Sequence, residues 1–190
     1  MNPLLLSHFT ATSSIGRGLA TTLEALRRRQ PGLRPCAFDT VDLPTFIGEV
    51  DGVDEVRLPS ELIEFDCRNN RLAQLGLAQD GFAAAVQAAV DKYGRDRVGV
   101  FVGTSTSGIL QSELAYRRRD PETGALPPDF IYSKTQNTFS VADFTRHYFD
   151  ISGPAVAISS ACSSSAKVLD RKSTRLNSSH IQKSRMPSSA

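Results

Sequence analysis

The sequence predicts an α/β layered fold, with helices packed on a buried mixed sheet, and three observations carry that expectation. Apolar runs bounded by turn residues (Leu4 to Phe9, Val98 to Gly103, Pro154 to Ser159) alternate with stretches whose apolar residues recur at helical spacing. The run Val98-Gly99-Val100-Phe101-Val102-Gly103 is continuously apolar rather than alternating, as in strands covered on both faces. Strand–helix–strand order of this kind belongs to layered α/β domains, and no repeat of about 20–50 residues points to a solenoid or propeller instead.

The elements follow in order. Leu4 to Phe9 reads as a buried strand and Ser13 to Gly18 as a turn. Leu19, Leu23 and Leu26 then mark a helix from Leu19 to Gln30, ended by Pro31-Gly32. Gly16 and Gly18 suggest a dinucleotide-binding loop, but Thr21 stands where the third glycine of G-x-G-x-x-G belongs, so a tight strand-to-helix turn is the better reading. Residues 31–66 are irregular, with a short strand at Phe46 to Val50. Arg71 to Tyr93 carries Leu72, Leu75, Ala83, Val86 and Val90 at helical spacing and reads as the longest helix, with Gly81 weakening its continuity and Gly94 closing it. After the Val98 to Gly103 strand comes a small-residue loop, Gly103 to Gly108, and a helix to about Arg119, stopped by Asp120-Pro121. Pro127-Pro128 opens another loop, Val141 to Phe149 is a short helix, Pro154 to Ser159 a strand, and Ser163 to Leu169 begins a helix.

Composition narrows the function classes. No run reaches the roughly 18 apolar residues that a membrane span needs, and the N-terminus lacks the basic lead-in and small-residue cleavage site of a signal peptide. Cys36, Cys67 and Cys162 are far apart with no metal-type pairing, which suggests reduced thiols and a cytoplasmic protein. The formal charge of +2 comes from residues 170–190; without them the chain holds 17 basic and 19 acidic residues, and the nucleic-acid reading loses its support.

Residues 170–190 are polar, serine-rich and free of apolar periodicity, the composition of a disordered tail. Asp170 to His180 is similar to a common short-read sequencing adapter translated in one frame, and Met186 to Ala190 fits its downstream part. These residues are therefore expected to be artefactual, which removes His180 as a ligand or base, against the alternative of a genuine basic tail.

Chemistry concentrates in Gly153-Pro154-Ala155-Val156-Ala157-Ile158-Ser159-Ser160-Ala161-Cys162-Ser163-Ser164-Ser165-Ala166-Lys167-Val168-Leu169. An apolar strand runs into small residues, sets Cys162 at the turn and continues as a helix. A thiol at a helix N-terminus meets unpaired N–H groups and the positive dipole end, which favour the thiolate. Small neighbours let a substrate reach the sulfur, and a backbone N–H at or beside the cysteine can contribute to an oxyanion hole.

This stretch resembles the active-site signature of the β-ketoacyl-acyl-carrier-protein synthases, with Gly153, Ile158, Ala161, Cys162, Ser163, Ser164, Ser165 and Leu169 filling its constrained positions. Similarity extends through Ser13 to Gly18, Cys67 to Gln79 and Gly99 to Ile109, so it covers nearly all of residues 4–169. It lies closer to the carrier-protein-dependent enzymes than to their chalcone synthase or thiolase relatives. The resemblance implies a thiolase-like layered fold, of which residues 1–169 supply the N-terminal half only. It implies Cys162 as the catalytic nucleophile of a decarboxylative Claisen condensation in fatty acid or polyketide and polyene synthesis. The acyl group arrives on the phosphopantetheine of an acyl carrier protein, so no resident cofactor is expected, and the intact parent is expected to be a homodimer with the strand before Cys162 near its two-fold axis. The family's two histidines and lysine lie in the second half. His8 and His147 do not match them, so the chain is expected to be inactive and, with its apolar face uncovered, to aggregate.

Other candidates read more plainly. Cys36 and Cys67 are expected to be buried small hydrophobes, His8 structural, and His147 a packing or surface residue. Arg117-Arg118-Arg119 fits a solvated helix end better than a carrier-protein contact, and Lys167 occupies an unconstrained signature position. Two further functions remain open: a non-catalytic partner of the chain-length-factor kind, which typically lacks the nucleophile, and a cysteine acyl hydrolase, which needs a histidine beside Cys162.

Overall fold

The structure is a computed structural model that describes residues 5–38 and 41–169; residues 170–190, read above as an artefactual tail, lie outside the described residues. Its elements are strands β1 (Thr12–Ser13) and β2 (Gly16–Arg17), helix α1 (Leu19–Arg27), strands β3 (Arg34–Pro35) and β4 (Phe46–Ile47), and a 3-10 turn at Ser60–Phe65. Helices α2 (Arg68–Leu77) and α3 (Phe82–Tyr93), strand β5 (Val100–Gly103), helices α4 (Ile109–Arg117), α5 (Tyr132–Thr135) and α6 (Ser140–Tyr148), and strand β6 (Ala155–Ile158) follow. Residues 164–169 are helical. The α/β class is the one the sequence implies.

The central sheet is a parallel pair in which Val100 faces Ala155 and Gly103 faces Ile158, while β1–β2 and β3–β4 form separate antiparallel pairs. Parallel pairing is possible because the long crossover between β5 and β6 holds α4, α5 and α6. The last of these is the hub. Ala142 joins Val90, Val100, Phe149 and Ile151 in a core against the sheet, whereas Phe144 packs with Leu58, Leu62 and Phe65 in a second cluster. Tyr148 touches both clusters. Phe144 is fully buried between the rings of Phe65 and Tyr148, at centroid distances of 6.0 and 5.7 Å. Behind it the fully buried Asn70 donates to the Phe65 carbonyl and to Ser140 Oγ, both at 2.9 Å, and so pins α2 to α6.

Two expectations need correction. Arg71 to Tyr93 is not one helix: Asp80 and Gly81 take φ of 55° and 69° and separate α2 from α3. Left-handed backbone ends an α-helix, and Gly81 adopts it without a Cβ clash. Asp80 compensates for its own strained conformation through long-range bonds, since its carboxylate accepts the Leu19 N–H at 3.0 Å and the Thr10 hydroxyl at 2.7 Å. The N-terminus of α1 is thus occupied by a carboxylate of the chain itself, which agrees with reading Gly16 and Gly18 as a turn. Likewise the described part of the Leu4 to Phe9 run forms no strand, and Leu5, Leu6 and Phe9 are exposed. An apolar run becomes a buried strand only if a sheet edge accepts its backbone bonds, and among the described residues β5 pairs with β6 alone. Beside the run, Thr10, Leu77, Val86, Phe101 and Phe149 line an uncovered apolar groove of about 490 Å³. Among the described residues no helix is long and apolar enough to cross a membrane.

Candidate active site

The turn between β6 and the helical residues 164–169 lies at the C-terminal ends of the parallel pair. Three backbone approaches put it there. Ser152 and Gly153 both donate to the Arg95 carbonyl at 3.0 Å, and the Val100 N–H donates to the Pro154 carbonyl at 2.8 Å, which aligns the two strands at their start. At the other end Thr104 N donates to the Ile158 carbonyl at 3.0 Å. Gly103 then abuts the next helix: a Cβ there would lie 2.7 Å from the Ser164 carbonyl carbon and 2.8 Å from Ser165 Cα. Only glycine lets the strand end and the helix start approach so closely.

Cys162 sits exposed at the tip of this turn. The residue before it, Ala161, has φ of 50°, a left-handed conformation that costs an L-residue roughly 1–2 kcal/mol and persists where surrounding bonds over-determine it. Those bonds are present. The Ser163 N–H donates to the Ser160 carbonyl at 3.3 Å and the Ser164 N–H to the Ala161 carbonyl at 3.2 Å. Ser163 Oγ donates to the Ser160 carbonyl at 2.9 Å. Strand, turn, thiol and helix therefore occupy the order read from the sequence, and a short-chain residue at every position from 159 to 166 leaves the sulfur approachable.

The other candidates fall elsewhere. Cys67 is fully buried, its Sγ 3.9 Å from the Thr135 carbonyl, and burial pushes its thiol up despite the nearby Asn70 and Asn69 N–H groups. Cys36 is half-buried rather than buried, because it lies on the β3–β4 hairpin outside both core clusters. His147 is exposed on α6, its Nδ1 2.7 Å from the Asp143 carbonyl oxygen and its ring 5.6 Å from that of Phe65. His8, read as structural, is exposed because the run that holds it forms no strand. Arg117 pairs with Glu113 and Arg118 with Asp129 at 2.9 Å, as at a solvated helix end. Among the described residues no cluster of His, Cys, Asp and Glu could hold a metal ion. Sequence reasoning gave Ser164 a constrained position in the signature but no role of its own; in the structure it is 3% exposed while its neighbours are open.

The difference between the thiols is testable. In the native chain iodoacetamide should label Cys162 at least about tenfold faster than Cys67, because the exposed sulfur is reachable and the buried one is both covered and held protonated. Denaturant should erase the difference, and peptide mass spectrometry reads both rates.

The family model for the beta-ketoacyl synthase N-terminal domain matches residues 68–182, well over half of the chain and including the whole of this turn. No curated protein matches. Among solved structures, the chain is similar to one from the complex of a ketosynthase (ApeO) with its chain length factor (ApeC) from Xenorhabdus doucetiae, at a TM-score of 0.63 and 26% identity. That likeness covers 84% of this chain and 40% of the other, so the chain spans well under half the length of the protein it resembles. With a layered α/β fold of that kind and a family match through its strand–cysteine–helix turn, the chain belongs to the β-ketoacyl synthase family.

Proposed function

We propose that this chain carries the acyl-accepting nucleophile of a condensing acyltransferase, and that the nucleophile is Cys162. The exposed thiol at the strand–helix turn is the observation that carries this reading. The thiolate of Cys162 attacks the carbonyl carbon of an acyl thioester held on the phosphopantetheine of an acyl carrier protein. The new C–S bond forms as the pantetheine sulfur leaves and takes a proton. In the parent enzyme a malonyl thioester then loses carbon dioxide, its carbanion attacks the acyl-cysteine, and the Cys162 thiolate is released with the β-ketoacyl product. Phosphopantetheine belongs to the partner in this scheme, so the chain needs no cofactor of its own. A cytoplasmic homodimer serving fatty acid or polyketide and polyene synthesis fits the same reading.

The 190-residue polypeptide by itself is proposed to load but not to condense. Decarboxylation needs groups that polarise the malonyl thioester oxygen, and His147 is turned to Asp143 while His8 lies on the open N-terminal run. A hydrolase reading would need one of them at the sulfur. A chain-length-factor reading sits poorly with a retained, exposed cysteine.

Incubation with an acyl carrier protein bearing a short acyl thioester should add one acyl group, found on the Cys162 peptide. Addition of malonyl carrier protein should then give no β-ketoacyl product. No adduct, or one on Cys36 or Cys67, defeats the assignment of Cys162; a condensation product defeats the claim of inactivity.

A further inference from the structure

The turn that presents Cys162 is gripped by a hydroxyl to which nothing above gives a chemical role. Ser164 is buried, and its Oγ accepts the Ser160 N–H at 2.9 Å and donates to the Ala161 carbonyl at 2.7 Å. The Thr104 carbonyl at the end of β5 stands farther off, at 3.4 Å. A serine has one proton to give, so the nearer Ala161 oxygen is its acceptor. The hydroxyl thus reaches back across Cys162 and fastens the chain on both sides of Ala161, the residue with left-handed φ.

Closing the turn does not require that hydroxyl. The Ser163 and Ser164 N–H groups already close it on the Ser160 and Ala161 carbonyls, and Ser163 Oγ adds a bond to Ser160. What Ser164 Oγ adds is a second and shorter bond to the Ala161 carbonyl, at 2.7 Å against 3.2 Å for the Ser164 N–H, and with it a firmer direction for that group. The peptide joining Ala161 to Cys162 is planar and trans, so fixing the Ala161 C=O also fixes the Cys162 N–H, which points the opposite way. A thioester carbonyl attacked by the Cys162 sulfur develops negative charge on its oxygen, and an N–H on the attacking residue is well placed to receive it only if it is aimed.

We infer that Ser164 is a positioning residue for acyl thioesters: its hydroxyl, by holding the Ala161 carbonyl, aims the Cys162 N–H at the oxygen of the thioester that the thiol attacks. The inference deepens the acyl-transfer function proposed above and rests on it.

The test uses the full chain at low micromolar concentration with two reagents, read at the Cys162 peptide by mass spectrometry. S-acetyl-N-acetylcysteamine is a thioester and develops an oxyanion; iodoacetamide alkylates sulfur without one. Removing one oxyanion donor elsewhere lowers rates on the order of 10²–10³-fold, so misaiming it in Ser164→Ala should slow acetylation by about tenfold or more, leave alkylation within about threefold, and Ser164→Thr should restore acetylation. Equal losses with both reagents, no loss with either, or loss of the native circular dichroism spectrum in Ser164→Ala would each overturn the inference in favour of a structural or idle hydroxyl. A wild-type chain that is alkylated but not acetylated sinks the acyl-transfer reading instead. Hydrogen exchange at the Cys162 amide then decides for Ser164: faster exchange in Ser164→Ala with recovery in Ser164→Thr upholds the anchoring, and unchanged exchange overturns it.

Discussion

Replacing Cys162 with serine should abolish acyl loading from a carrier-protein thioester, a loss on the order of 10³-fold or more, while leaving the fold intact. Both halves of that expectation have structural reasons. Cys162 is exposed, and its neighbours Ser160, Ser163 and Ser164 hold the turn through their own backbone and hydroxyl groups rather than through the sulfur. A surface change of one atom at such a site shifts stability by no more than about 0.5 kcal/mol. A serine hydroxyl in the same place is far less acidic than a thiol and is not activated by any histidine among the described hydrogen bonds, so it is a poor nucleophile toward a thioester. The measurement is the intact mass of the chain and of its Cys162 peptide after incubation with acyl carrier protein, with urea midpoints as the control. Serine variants that still load would move the nucleophile to another residue. Serine variants that unfold would show the thiol to be part of the packing, contrary to its exposure.

The parts of this fold that were legible in the sequence are those fixed by neighbours in the chain. The β5 strand and the small-residue loop after it, the α6 helix and the strand–cysteine–helix turn were all drawn by unbroken local runs whose own character sets their conformation, although β5 finds its partner β6 only 55 residues on. Failures came where a distant residue decides. The split between α2 and α3 depends on Asp80, whose carboxylate binds Leu19 and Thr10, 61 and 70 residues earlier; the sequence offered only Gly81 as a warning. Leu5 and Leu6 looked like a buried strand because periodicity records apolar character and says nothing of whether a sheet edge is free to pair. The role of Ser164 could not be seen among adjacent serines, since one of them is buried and the others exposed only after the helix has packed on Gly103. The short α5 and the 3-10 segment at Ser60–Phe65 escaped because one or two turns carry too few residues for a period.

The glycine of the signature makes the strongest demand on the backbone, and Gly153→Ala should be among the most damaging single changes in the chain. A Cβ at residue 153 would lie 2.0 Å from the Val98 oxygen and 2.9 Å from both the Asp96 oxygen and the Val98 carbonyl carbon. All three are backbone atoms, so no side chain can swing away, and β6 must separate from the 95–98 segment by about an ångström or more before the contact becomes tolerable. That movement breaks the bonds of Ser152 and Gly153 to Arg95 and of Val100 to Pro154, each contributing about 0.5–1.5 kcal/mol. It also draws Phe149 and Ile151 out of the core against the sheet. The sum is a destabilisation of at least about 3 kcal/mol, enough to lower the folded-to-unfolded ratio more than a hundredfold. Gly124→Ala makes a useful contrast. Gly124 has φ of 71° with nothing among the described residues within 4 Å of a Cβ, so it loses only the roughly 1–2 kcal/mol of left-handed strain. Urea titrations followed by circular dichroism should therefore rank the two variants clearly. If Gly153→Ala were the milder of the pair, the close approach of β6 to residues 95–98 would be wrong, and with it the path that delivers Cys162 to the strand ends nine residues later.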